Sequence, residues 1–258
     1  MYEYAIGVSA FGAAWLVFFV LLPAFRVRLL LASLMWGHVG PMCQTLYTVD
    51  YWRPSFILEI PVGNAIVGVE DYLFAYFFAG IATGLFYLFR ATPLKPAPAS
   101  LPARSWPVLL GAGPLFFLPV AAPTFLFGTN SVQAHIVVCG IAAALLVARN
   151  KEWRRACLIT MAAAAAGFWL FYVVFYLRFF PDIFARWWNL EALSGFYLGP
   201  VPIEEMLWAA ATAALVGPAT AWVFEGRLFS IFGCNNGLRA NSRTVFRAAL
   251  ACRDFPKK

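Results

Sequence analysis

The chain is 258 residues long, 62% hydrophobic and 18% aromatic, with only 12% charged residues. A water-soluble domain of this size carries about twice that charged fraction, so an ordinary soluble fold is excluded. The net charge of +7 does not mark a nucleic-acid binder, because membrane proteins accumulate basic residues to fix their orientation.

Apolar runs of about 20 residues recur along the chain, the length a helix needs to cross a hydrocarbon core. They are continuous rather than alternating, which argues against a β-barrel. Seven spanning helices are expected, over Tyr2–Pro23, Val27–Thr48, Ile66–Phe89, Trp106–Phe127, Gln133–Ala148, Ala156–Phe180 and Ile203–Phe224. Pro23 closes the first, and Pro93, Pro96, Pro98 and Pro102 make a stiff linker after the third. Glu3, with no basic cluster before it, argues against a cleaved signal peptide.

The basic residues order these helices. With the N-terminus outside, the inner segments hold Arg26, Arg28, Arg90, Lys95, Arg104, Arg149, Lys151, Arg154, Arg155 and seven residues of the tail from Arg227 to Lys258. Only Arg53, Arg178 and Arg186 fall outside. Lys and Arg gather on the cytoplasmic side, so the expected arrangement is an integral protein of the plasma membrane, N-terminus out and C-terminus cytoplasmic. The tail, with Arg239, Arg243 and Arg247, either lies on the anionic inner leaflet or stays solvated and disordered.

Five cysteines show no metal-binding spacing, and neither His38 nor His135 has a second histidine at helical spacing. No metal site and no cofactor are expected. Both histidines are expected to pack or hydrogen-bond inside the bundle.

The acidic residues are more informative. Pro202-Ile203-Glu204-Glu205 opens the seventh helix, and Gly68-Val69-Glu70-Asp71 lies at the start of the third. A shift of 134 residues brings Glu70 onto Glu204, Asp71 onto Glu205 and Phe74 onto Trp208. Each motif follows an aromatic loop, Tyr51-Trp52-Arg53 in one case and Arg186-Trp187-Trp188 in the other. This pattern implies an all-α membrane fold of two parallel three-helix repeats joined by a linking helix, since a three-helix unit ends on the side opposite its start. The expected division is residues 1–90 for the first repeat, 91–131 for the linker with its helix, 132–226 for the second repeat and 227–258 for the tail.

Acids at membrane depth are costly unless paired or used. Neighbours on a helix point about 100° apart, so one acid of each pair can face the interior while the other braces the helix start. A carboxyl group in a desolvated site can be kept ready to donate a proton, and aromatic faces stabilise cations without attacking them. Acid plus aromatic walls suits protonation of an alkene followed by carbocation chemistry. The plainer reading is that acids cap helix starts and aromatics line membrane interfaces.

At these motifs the sequence resembles the lycopene cyclase domain family, which carries P-x-E-(E/D) in each of two three-helix halves. Pro202 to Glu205 matches in full, while Gly68 stands where the first motif has proline. The resemblance implies an isomerase of carotenoid biosynthesis that cyclises a linear ψ-end of lycopene or a related carotene without redox change. It implies Glu204 and Glu205 as the first candidates for proton donor and base, Glu70 and Asp71 as a second pair, and a loss of cyclisation in Glu204→Gln. Trp208, Phe74, Trp52, Trp188 and Tyr197 are candidate substrate walls. The partners are then the linear carotenoid, the bilayer and other enzymes of the same pathway, with no nucleic acid. A proton-coupled carrier and a non-catalytic scaffold subunit are the alternatives. A retinal protein is disfavoured because all four lysines lie outside the expected helices, and no G-x-G-x-x-G dinucleotide fingerprint is present.

Overall fold

The computed structural model describes residues 2–90 and 106–224. The proline linker and the basic tail, on which several sequence expectations fall, lie outside the described residues. The chain clusters into Met1–Thr220 and Ala221–Lys258, and the architecture below is that of the first unit.

The unit is mostly helical. Helix α1 covers Glu3–Leu21 and ends in a tight 3-10 turn at Pro23–Phe25, with α2 following over Arg26–Gly37 and α3 over Val39–Asp50. A hairpin of β1 (Ile60–Val62) and β2 (Ala65–Val67) leads into α4, Val69–Phe89. Helices α5 (Trp106–Phe127), α6 (Ser131–Arg149) and α7 (Arg154–Leu170) come next, and α7 continues through a π-helical turn at Phe171–Tyr176 into α8, Leu177–Phe179. A short α9 (Ile183–Trp187) and a second hairpin, β3 (Tyr197–Leu198) with β4 (Val201–Pro202), lead into α10, Ile203–Phe224.

Five of these segments are long and apolar enough to cross a membrane: Glu3–Leu21, Val69–Phe89, Ser131–Arg149, Lys151–Phe179 and Ile203–Val223. Their outward faces carry apolar side chains such as Leu21 and Val174, each more than two-thirds exposed, while Ser33, Gln44, Thr83 and His135 are buried in the unit. That inside-out distribution fits a lipid surround.

The expected second helix, Val27–Thr48, is present as two 12-residue pieces broken at His38. The cause is Pro41, which has no N–H and whose ring would collide with the carbonyl four residues earlier, that of Gly37, where α2 ends. The break lets α3 lie close against α4: a Cβ at Gly40 would stand 2.1 Å from the Asp71 carbonyl oxygen. The expected fourth helix is α5, whose described apolar part long enough to note is Leu115–Phe127.

The third helix begins at Val69 rather than Ile66, because residues 60–67 pair as a hairpin. Both hairpins turn on a glycine with positive φ, Gly63 at 61° and Gly199 at 64°, as a two-residue connection requires at its first position. Pro218 lies inside α10, where it cannot donate to the carbonyl of Ala214. The Cys157 thiol of α7 donates to that oxygen instead, at 3.5 Å.

Arginines close two other helix ends, a favourable place for a cation. Arg26 donates to the carbonyls of Phe19 and Val20 at 2.7 and 3.2 Å. Arg53 donates likewise to Thr48 and Val49 at 2.8 and 3.2 Å. Asp50, ending α3, accepts from the Ser131 backbone and hydroxyl at 2.8 and 2.5 Å, tying α3 to the start of α6. Arg186 of α9 pairs with Glu3 of α1 at 3.0 Å, and that hydrogen bond pushes the exposed guanidinium further up from its ordinary value.

Candidate active site

The four acids of the two motifs are all buried, and they divide into two kinds. The first acid of each pair turns back to the loop before its helix. Glu70 Oε1 accepts from the Ile57 backbone N–H at 2.7 Å, and Glu204 Oε1 accepts from that of Ser194 at 2.6 Å. The second oxygen of each has no hydrogen-bond partner among the described residues. The second acid of each pair, about 100° further round the helix, faces inward. Asp71 and Glu205 both line one internal cavity, and Glu70 and Glu204 do not.

The two inward acids are held differently. Asp71 Oδ1 accepts from the Tyr4 hydroxyl at 3.1 Å, and its Oδ2 accepts from the Gly68 backbone N–H at 2.9 Å. Glu205 Oε1 accepts from the Trp188 indole at 2.8 Å and from the Tyr51 hydroxyl. Its Oε2 accepts from the Tyr172 hydroxyl at 2.7 Å. Tyr172 lies in the π-helical turn at Phe171–Tyr176, where it and Tyr176 are both buried.

This geometry accounts for Gly68 at the position where the first motif has proline. Its N–H is the donor to Asp71, which proline lacks. A Cβ there would also stand 2.2 Å from the Phe56 ring.

The aromatic loops meet. Trp52 and Trp188 form an antiparallel bridge, flanked by hydrogen bonds from Arg53 N–H to the Trp187 carbonyl at 2.7 Å and from Asn189 N–H to the Tyr51 carbonyl at 2.8 Å. Their rings lie 5.2 Å apart, and Trp52 meets Tyr4 edge-on at 5.0 Å. A continuous aromatic arch therefore links the residue that donates to Asp71 with one that donates to Glu205.

Below the arch is a cavity of about 100 Å³, where a single water needs roughly 10–15 Å³. Phe74 and Trp208 stack across it at 5.7 Å, with Phe78 and Phe168 at 5.2 and 5.7 Å from the indole. Trp208 is fixed by a polar chain: its indole donates to the Tyr47 hydroxyl at 3.1 Å, that oxygen lies 2.5 Å from His135 Nδ1, and His135 Nε2 lies 2.9 Å from the Thr212 hydroxyl.

Of the side chains singled out from sequence, Asp71, Glu205, Phe74, Trp52, Trp188 and Trp208 line the cavity. Tyr197 sits half-exposed on β3, away from it. Of the three tyrosines that donate to the acids, Tyr51 belongs to the first aromatic loop, while Tyr4 and Tyr172 carried no motif. Their only sequence signal is a hydroxyl inside or beside an apolar run, and buried hydroxyls need partners.

A comparison with known families matches residues 130–223 to the family described as lycopene cyclase. No curated protein and no solved structure matches the chain. The matched segment runs from the start of α6 nearly to the end of α10, so it contains Trp188, Glu205 and Trp208 while Asp71 and the first half lie outside it. Over residues 130–223, the second half of the described chain, the sequence is similar to the lycopene cyclase family.

Proposed function

We propose that this protein is a membrane carotenoid cyclase that closes a ring on the linear end of a carotene by acid catalysis, without redox change. The observation that carries the reading is the cavity itself: aromatic and apolar walls with two carboxyl groups set into them, Asp71 from α4 and Glu205 from α10. A hydrocarbon fits such walls, and a carboxyl is the group that can protonate an alkene.

The reaction balances as an isomerisation. A carboxylic acid gives its proton to the terminal double bond, leaving a tertiary cation. The next suitably placed double bond attacks that cation and closes a six-membered ring, and the new cation loses a proton to a carboxylate. Asp71 and Glu205 are the acid and base of this exchange. The faces of Phe74 and Trp208 accompany the cation, since a ring within about 6 Å of a positive charge attracts it by roughly 2 kcal/mol or more when desolvated. Glu70 and Glu204 brace the loops that carry the aromatic arch.

The reading includes a seven-crossing, two-repeat arrangement. The broken pair α2–α3 and helix α5 would supply the two crossings beyond the five long apolar segments. Elements expected to be repeat-related touch each other, Phe74 on Trp208 and Trp52 on Trp188, as they would about an axis along the membrane normal.

The test is expression in a host that accumulates lycopene, with extracted pigments separated by chromatography. Ring-containing carotenes should appear with the wild-type chain and be absent with Asp71→Asn or Glu205→Gln. An unchanged lycopene profile with well-inserted wild-type protein would favour a carrier or a scaffold subunit instead.

A further inference from the structure

A second apolar groove, of about 200 Å³, lies between α1, α4 and α7. Phe11, Phe78, Phe168 and Phe171 line both this groove and the acid-bearing cavity, so the two spaces share a wall of four aromatic rings. Beyond those rings the groove is floored by short side chains, among them Ala14, Ala82, Ala164 and Gly167. Ala14 and Gly167 are exposed on the outer surface. From Phe78 to Leu85 along α4 the groove extends ~10 Å, taking 1.5 Å per helical residue, toward the opposite end of the helices from the acids.

We infer that this groove is the seat of the substrate's linear polyene chain, whose end enters the cavity past the four phenylalanines. A cavity of about 100 Å³ admits the end of a long hydrocarbon and not its length, and the remainder must leave through a wall. The shared wall is apolar throughout, it opens on the lipid-facing side where a carotene is dissolved, and it keeps the chain away from both carboxyls. The proposal rests on the cyclase reading only for the identity of the end group; the groove's claim is to bind an extended polyene.

Gly167 provides the test, because a Cβ added there meets nothing within 4 Å and glycine is a poorer helix former than the residues that replace it. Full-length wild type, Gly167→Phe, Ala14→Phe and the control Gly167→Ala are purified into lipid nanodiscs. Each is titrated with lycopene and with a ten-carbon acyclic triene, following protein fluorescence quenching and any cyclised product. The expected result is a loss of lycopene affinity of tenfold or more in both phenylalanine variants, with Gly167→Ala unchanged and the short triene bound equally by all. Ala14→Phe reaches the groove from a different helix, so a folding failure of one variant leaves the other to decide. Lycopene affinity unaltered by both substitutions would overturn the inference and assign the groove to bilayer acyl chains, and so would equal loss for the short triene. If lycopene binds the wild type and loses affinity in the phenylalanine variants but no ring forms even in the wild type, the groove stands and the cyclase reading falls.

Discussion

Substituting Glu205 by glutamine is the sharpest perturbation of the site, because it removes a proton-exchanging group with almost no change in shape. Three donors converge on the carboxyl: Tyr51 and Trp188 on Oε1 and Tyr172 on Oε2. The indole N–H can only donate, so the glutamine oxygen must take the Oε1 position and its amide nitrogen must face Tyr172, whose hydroxyl can rotate to accept. All the contacts can therefore be kept in altered polarity. The cost is the difference between hydrogen bonds to a charged group, about 1.5–3 kcal/mol, and to a neutral one, about 0.5–1.5 kcal/mol, offset by relief from burying a charge. The protein should fold and insert. Proton transfer by a positioned side chain is worth about 10²–10⁴-fold in rate, so cyclisation should fall by at least about a hundredfold. In Glu204→Gln the amide oxygen can still accept from Ser194 N–H, and the residue does not line the cavity, so activity should stay within about tenfold of wild type on the same scale. The assay is initial rate of ring formation in isolated membranes at matched protein. A Glu205→Gln enzyme within threefold of wild type, or a Glu204→Gln enzyme as dead as Glu205→Gln, would refute the division of the acids.

Two other outcomes follow from the same geometry. His135→Ala removes the group that holds the Tyr47 hydroxyl under the Trp208 indole; it should cost about 1–3 kcal/mol through the unpaired hydroxyl and lower the turnover rate more than it raises KM, while a change in KM alone would show that Trp208 only binds. Impermeant thiol labelling should modify Ser194→Cys from outside the cell and Lys151→Cys only after permeabilisation, each in a background whose own reactive cysteines are replaced; the reversed pattern would overturn the expected orientation, which rests on where the arginines and lysines gather.

The long apolar helices were legible because composition and length alone force them, and the acid pairs were legible because burying two carboxyls in a greasy chain has few excuses. The inward and outward roles within each pair were half legible: helical geometry separates Glu204 from Glu205 but does not say which one meets the cavity. The hairpins before α4 and α10 were missed, since eight residues with two β-branched clusters around Gly63 read equally well as the entry to a helix. The break at His38 was written in Pro41 and Gly37, yet an apolar run across them hid it. Tyr4 could not be joined to Asp71, nor Tyr172 to Glu205, because those pairings depend on which helices touch. Arg53 and Arg186, two of the three basic residues expected on the outer side, both have local partners in the structure: the end of α3 for one, Glu3 and Asp182 for the other.

The departure from the proline pattern at Gly68 is one place where the two proposed halves differ. A proline at 202 leaves no N–H at that position, so Glu205 is oriented by side chains from three other parts of the chain, Tyr51, Tyr172 and Trp188. A glycine at 68 supplies an N–H, so one oxygen of Asp71 is fixed by its own helix start and the other by a single hydroxyl from α1. The first arrangement is held by side chains alone, and the second is held in part by backbone. In the proposed reaction the two carboxyls play opposite parts, and unlike surroundings are one way to set their proton affinities apart. On the proposed two-repeat reading, Gly68 is one of several differences between the two sites, beside the unequal donors and the exchange of aspartate for glutamate.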